Sequence, residues 1–172
     1  MTKQEHTYGK SDWIVHNYHG VGQIQAVETK TIAGQKSKYF RVKAKDRVFW
    51  IPVEDSQTSN IRPLVSQREL MQTLKILTCP PEELESDYRA RQRQIDEFRS
   101  KGTLKAVCCL VRDLWARRMQ KSLNDNEERT LDFYQKILLE EWSLSAEVPL
   151  EVANQNLRDL LKESIAASSV SS

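Results

Sequence analysis

Apolar residues recur along this chain with two different periods. From Ser11 to Ile61 the spacing is that of strands. Trp13-Ile14-Val15 opens the region, and Gly20-Val21-Gly22-Gln23-Ile24-Gln25-Ala26-Val27 alternates well enough for a second strand. Ala33-Gly34-Gln35 reads as a turn into Tyr39-Phe40-Arg41-Val42-Lys43, and Lys45-Asp46 as another into Val48-Phe49-Trp50-Ile51-Pro52. Short strands rich in β-branched and aromatic residues, spaced about ten residues apart, predict a small curled sheet or barrel of SH3- or Tudor-like size. Gly20 and Gly22 flank Val21 where a tight bend or close backbone approach is expected.

After residue 65 the period becomes helical. Ser66-Gln67-Arg68-Glu69 reads as a capping box, with Val65 and Leu70 placed for its hydrophobic staple. Pro80-Pro81 ends this helix, and Glu82-Glu83 supplies first-turn acids for a helix over 83–100. Lys101-Gly102-Thr103 separates it from a helix over 104–120, where Leu104, Val107, Cys108, Val111, Leu114 and Trp115 share one face. Asn124 with Glu127 caps the next helix, striped by Leu131, Tyr134, Leu138 and Trp142, and Pro149 suits the first turn of a last one. Trp115 and Trp142 are expected in the core. Residues 1–8 read as frayed and the tail from about 167 as disordered. The fold class is therefore α+β: a Tudor/SH3-like β-barrel over 1–65, then an all-α domain of about five helices over 66–172.

Composition narrows the function classes. Charged residues make up 29% and hydrophobic ones 39%, ordinary for a soluble globular protein. No apolar run approaches the roughly 20 residues that span a bilayer. The N-terminus has no apolar core of a signal peptide, so a cytoplasmic location is expected. Cys79, Cys108 and Cys109 fit neither a disulfide framework nor a zinc spacing and read as small core residues. Asp12, His16 and His19 complete no ligand or acid–base set of recognised spacing, so no catalytic residue, metal or cofactor is expected.

Charge adds one positive indication. The net charge of +2 conceals a stretch from Tyr88 to Lys121 with ten basic residues against three acidic ones. That asymmetry fits either a polyanion-facing surface or a solvated helix face. Arg112-Asp113 reads as an internal ion pair, and Arg117 and Arg118 as candidates for phosphate. A small β module joined to a basic helical module points to an adaptor that holds protein with one end and nucleic acid with the other. No apolar surface stripe asks for a self-partner, so a monomer is expected.

The run Asp12-Trp13-Ile14-Val15-His16, with Tyr18-His19-Gly20-Val21-Gly22-Gln23-Ile24, resembles the start of the RNA-polymerase-interacting domain of the CarD/CdnL/TRCF family. So do Glu28-Thr29-Lys30-Thr31-Ile32-Ala33-Gly34, Tyr39, Ile51-Pro52 and Ile61-Arg62. In the helical half, Lys105-Ala106-Val107, Val111-Arg112-Asp113-Leu114-Trp115, Glu127-Glu128 and Leu138-Leu139-Glu140-Glu141 resemble the C-terminal domain of CarD and CdnL. The likeness covers nearly the whole chain and is to the stand-alone regulators, not to the repair-coupling helicase.

The resemblance implies a bacterial transcription regulator whose β domain docks on the β subunit of RNA polymerase by pairing strand edges. It also implies a helical domain that wedges a tryptophan into the minor groove of promoter DNA at the upstream edge of the bubble, largely without sequence reading. Carried over, polymerase contacts fall on Lys30, with Glu28 beside it on the edge segment Gln25–Thr31, and on Trp50 where the family has a basic residue. The wedge falls on Tyr88, among Arg89, Arg91 and Arg93, which do not all share one helical face, so that some must serve packing or solubility. The alternative is a polymerase-docking protein adaptor with little or no DNA wedging.

Overall fold

The computed structural model describes residues 7–57 and 60–170. It divides into two compact units, Met1–Leu64 and Val65–Ser172. Five antiparallel strands build the first: β1 (Trp13–His16), β2 (Gly20–Ile32), β3 (Gln35–Lys43), β4 (Val48–Pro52) and β5 (Ile61–Pro63), in the order β4-β3-β2-β1-β5. Alternation puts Ile14, Ile24, Phe40, Val42, Phe49, Ile51 and Ile61 into one core, with Tyr8 packed against it. Tyr8 is thus tied down, while residues 1–6 of the expected frayed end lie outside the described residues. Gly22 answers the expectation of a close approach: a Cβ there would stand 2.5 Å from Val42 Cγ1 and 3.2 Å from the Lys43 carbonyl oxygen.

β2 and β3 run further than alternation predicts. They continue to a turn at Ala33 (φ 50°) and Gly34 (φ 79°), pairing Glu28 with Tyr39 and Ile32 with Gln35. One face of the extension is exposed and the other half-exposed, so no apolar alternation marks it in the sequence. β1 covers only the start of β2. Its ladder ends at Trp13 opposite Gln23, extended by Ser11 N–H to Ile24 O (2.8 Å) and Ile24 N–H to Asp12 O (2.9 Å). The register then shifts between Ile24 and Ala26, and beyond this bulge β2 pairs only with β3 among the described strands.

The β1–β2 turn hangs on His16. Its Nδ1 accepts the backbone N–H of Tyr18 (3.0 Å) and of His19 (3.2 Å), and Arg47 donates to the His19 carbonyl (2.7 Å). Burial first, then the neighbouring His19 and Arg47, pushes the His16 pKa down to about 4. Protonated Nδ1 would lose both bonds. Because the folded pKa lies below the unfolded one, this contribution is complete above about pH 6.5 and is lost as pH falls towards 4. Denaturant titrations are expected to show about 2–3 kcal/mol less stability at pH 4.5 than at pH 7.5 from this group. The measure is the difference from His16→Asn, whose carbonyl can accept the same N–H groups; an equal pH dependence in both proteins would refute the assignment.

Among its described residues the second unit comprises α1 (Gln67–Leu74), α2 (Tyr88–Lys101), α3 (Leu104–Gln120), α4 (Asp125–Ala146) and α5 (Leu150–Val170), five α-helices as predicted. Ser66 Oγ accepts the Glu69 N–H (3.1 Å), and α1 tightens into a 3-10 turn over Lys75–Thr78 before the prolines. Asn124 and Glu127 form a full capping box on α4.

Three expectations are corrected here. Residues 83–87 are not helical: α2 begins at Tyr88, where Asp87 caps it by accepting the Ala90 N–H at 2.8 Å. The preceding segment has its donors met by side chains, Glu82 N–H by Asp113 (3.0 Å) and Glu85 N–H by Gln94 (3.1 Å), so it needs no helical bonds there. The tail from 167 is helical to Val170, with Ser171 and Ser172 outside the described residues. Cys79 is exposed and Cys109 and Trp115 are half-buried, whereas Cys108 and Trp142 are in the core.

Candidate functional site

On the β unit, pairing of Glu28 with Tyr39 and of Arg41 with Trp50 puts alternate residues of three strands on one face. Trp50 Nε1 donates to Glu28 Oε2 (2.9 Å), and Arg41 Nε lies 3.9 Å from Glu28 Oε1. The Lys30 ammonium sits 3.6 Å from the centroid of the Trp50 ring and 6.0 Å from that of Tyr39. Glu28, Lys30 and Trp50, singled out from the sequence, therefore form one cluster. Tyr39 and Arg41 complete it, and the period-2 spacing of Tyr39, Arg41 and the cross-strand Trp50 was the signal for them. Half-exposed Trp50 supplies a flat apolar surface with a cation resting on it. Beside it runs the edge of Gln25–Thr31, with the bulge at one end.

On the helical unit, Tyr88 is the first residue of α2 and 54% exposed. Arg89 and Arg93 are also exposed, and their i,i+4 spacing gives them a shared face. Arg91 departs from the expectation. It points inward, 6% exposed, with Nε on Glu127 Oε1 and Nη1 donating to the carbonyls of Glu85 (2.8 Å) and Ser86 (2.9 Å). It is the packing member of the three arginines.

Arg117 departs too: its side chain is 16% exposed and its Nε lies 3.8 Å from Glu127 Oε2. Both guanidinium groups turn inward toward the buried Glu127 carboxylate in the first turn of α4. Arg118 is half-exposed, 3.5 Å from Glu128. Aromatic Tyr88 with Arg89 and Arg93 is thus the exposed set, and Arg118 stands tethered to α4. Glu127 was legible in the sequence as a helix cap, but nothing there marked it as the partner of two arginines.

Asp12, in the sequence set with His16 and His19, caps a turn by accepting the Gly9 N–H (2.8 Å). Among the described residues no group of three His, Cys, Asp or Glu is placed to hold a metal ion, and no helix is long and apolar enough to cross a membrane.

Comparison with known proteins matches both units. Residues 9–65 fit the family model of the CarD-like/TRCF RID domain, and residues 72–158 that of the CarD C-terminal domain. The chain is also similar to YdeB of Bacillus subtilis (strain 168), named as a candidate transcription factor. The two are 27% identical over 132 residues, which cover 76% of this chain and 86% of that protein.

Proposed function

The chain belongs to the CarD family, a transcription regulator of that stand-alone type, and from this premise we propose that it binds the β subunit of RNA polymerase and stabilises the promoter open complex. The observation that carries the DNA half of this reading is Tyr88, held out at the start of α2 with Arg89 and Arg93 beside it. An aromatic side chain inserted from the minor groove offsets the cost of unstacking a base step, and arginines beside it neutralise phosphates without reading sequence. The protein works without a cofactor or a catalytic group, as a monomer in the cytoplasm, reaching the nucleoid through the polymerase.

The docking half rests on the exposed β2 edge and the cluster around Trp50. Strand addition along Gln25–Thr31 supplies main-chain hydrogen bonds, and the Glu28–Lys30–Trp50 face selects the partner. Trp50→Ala is expected to weaken binding of the full-length protein to RNA polymerase at least tenfold, as loss of an interface tryptophan commonly does, by about 2 kcal/mol. Circular dichroism should stay unchanged, because Trp50 is 40% exposed. Affinity unaltered by the substitution would remove this face from the interface.

The decisive experiment is the lifetime of open complexes formed by RNA polymerase from the source bacterium, with and without the protein. A longer lifetime supports the proposal. An unchanged lifetime with polymerase bound supports the second reading, a protein adaptor, which the withdrawal of Arg91 and Arg117 from the surface favours.

A further inference from the structure

Arg91 presents a puzzle for a basic residue three positions from the proposed wedge: none of its hydrogen bonds points outward. Its Nε binds Glu127, the residue that also closes the α4 capping box, where Glu127 Oε2 accepts the Asn124 N–H (3.2 Å) and Asn124 Oδ1 accepts the Glu127 N–H (2.9 Å). Its Nη1 reaches back to the carbonyls of Glu85 and Ser86, the last residues before the Asp87 cap. Its Cζ lies 6.0 Å from the centroid of the Tyr88 ring. Beside it Asn126 Nδ2 donates to Gln92 Oε1 (2.9 Å), a second tie between the starts of α2 and α4.

One guanidinium therefore joins three things: the chain entering α2, the first turn of α4, and the inner side of the Tyr88 ring. Extended segments that end at a helix cap are free to pivot, and an exposed aromatic on such a pivot loses orientational entropy when it inserts into DNA. Gln94 already holds the Glu85 N–H, and Arg91, by fixing the carbonyls of Glu85 and Ser86 next to the cap, removes the remaining pivot beforehand. The planar fork of arginine suits this, since Nε and Nη1 meet different acceptors at once, which a lysine ammonium on its flexible stem does not reproduce.

We propose that Arg91, anchored by Glu127, is a positioning residue that pre-orients Tyr88 for the minor groove and makes no DNA contact of its own. This rests on the reading of Tyr88 as the wedge. Glu127→Gln gives the test a definite sign. It deletes a negative charge, so a purely electrostatic interface would hold DNA more tightly. Positioning requires the opposite, a shorter open-complex lifetime.

Full-length protein is labelled with 3-fluorotyrosine at its five tyrosines, and the Tyr88 resonance is assigned by its loss in Tyr88→Phe. In Glu127→Gln, and in Arg91→Lys as a second variant that keeps the charge, the Tyr88 fluorine signal is expected to shift or broaden. Those of Tyr8, Tyr18 and Tyr39 in the other unit should stay in place. Open-complex lifetime should fall about tenfold, the scale of one charge-assisted hydrogen bond, while the salt dependence of DNA binding keeps its slope. An unmoved Tyr88 signal overturns the proposal, as does a lifetime that stays the same or lengthens while Tyr88→Ala shortens it. A salt slope reduced by about one unit in Arg91→Gln, which removes the charge, would make Arg91 a phosphate contact instead and also overturns it. If Tyr88→Ala itself changes nothing, the wedge reading fails, and the fluorine signal alone decides whether Arg91 orients the ring.

Discussion

Replacing Tyr88 by alanine is expected to shorten the open-complex lifetime about ten- to a hundredfold while leaving affinity for RNA polymerase unchanged. Unstacking one base step costs a few kcal/mol, and a wedge that offsets even half of it is worth one to two factors of ten in the rate of bubble closure. The fold tolerates the change. Tyr88 is 54% exposed at the first helical position, where alanine is a good residue, and Asp87 keeps its capping bond. Tyr88→Phe and Tyr88→Trp refine the test: the indole offers more stacking area and should lengthen the lifetime beyond the wild type. Arg89→Ala and Arg93→Ala, at the proposed phosphate contacts, should instead lower DNA affinity and its salt slope together. A Tyr88→Ala protein that binds polymerase and preserves the bubble as well as the wild type would leave the adaptor reading standing.

How much of this was legible beforehand differs between the two surfaces. The strands, the five helices and the caps at Ser66 and Asn124 followed from periodicity and cap chemistry, which act locally. The cluster of Glu28, Lys30 and Trp50 followed from the resemblance; its geometry depends on a cross-strand register that only pairing sets. The start of α2 was misplaced because proline and acidic residues at 80–83 mimic a helix N-terminus. What holds that segment extended is Asp113 and Gln94, 31 and 9 residues away in sequence. For the same reason Arg91 and Arg117 passed as surface charge: a basic run looks alike whether its members face water or a carboxylate brought from α4. Helical geometry required only that some of the three arginines after Tyr88 serve packing or solubility; placing Arg91 in the packing needed Glu127.

The same kind of distant carboxylate carries the largest expected loss of stability. Arg112 and Asp113 are both buried, joined by Nε to Oδ1 at 2.8 Å. Asp113 also accepts the Glu82 N–H, and Arg112 Nη1 reaches the Ile76 carbonyl (3.3 Å), so the pair ties α3 to the turn after α1 and to the segment leading into Tyr88. Burial raises the Asp113 pKa above the usual carboxylate value, against the lowering by Arg112. A raised folded pKa means that stability from protonation is present at low pH and lost as pH rises through it, so ionised Asp113 costs stability at neutral pH. Desolvation of both charges makes a buried pair of this kind a poor net stabiliser, yet breaking it is worse. Asp113→Ala strands a buried guanidinium and is expected to cost about 3–5 kcal/mol in urea denaturation followed by helical circular dichroism. Replacing both partners by apolar side chains of similar size, Arg112→Met with Asp113→Leu, should restore most of that loss, because no charge is left unpaired. A single-variant loss below about 1 kcal/mol would mean that the surroundings solvate Arg112 without its partner, whereas a double variant as unstable as the single would place the cost in the lost anchor of Glu82.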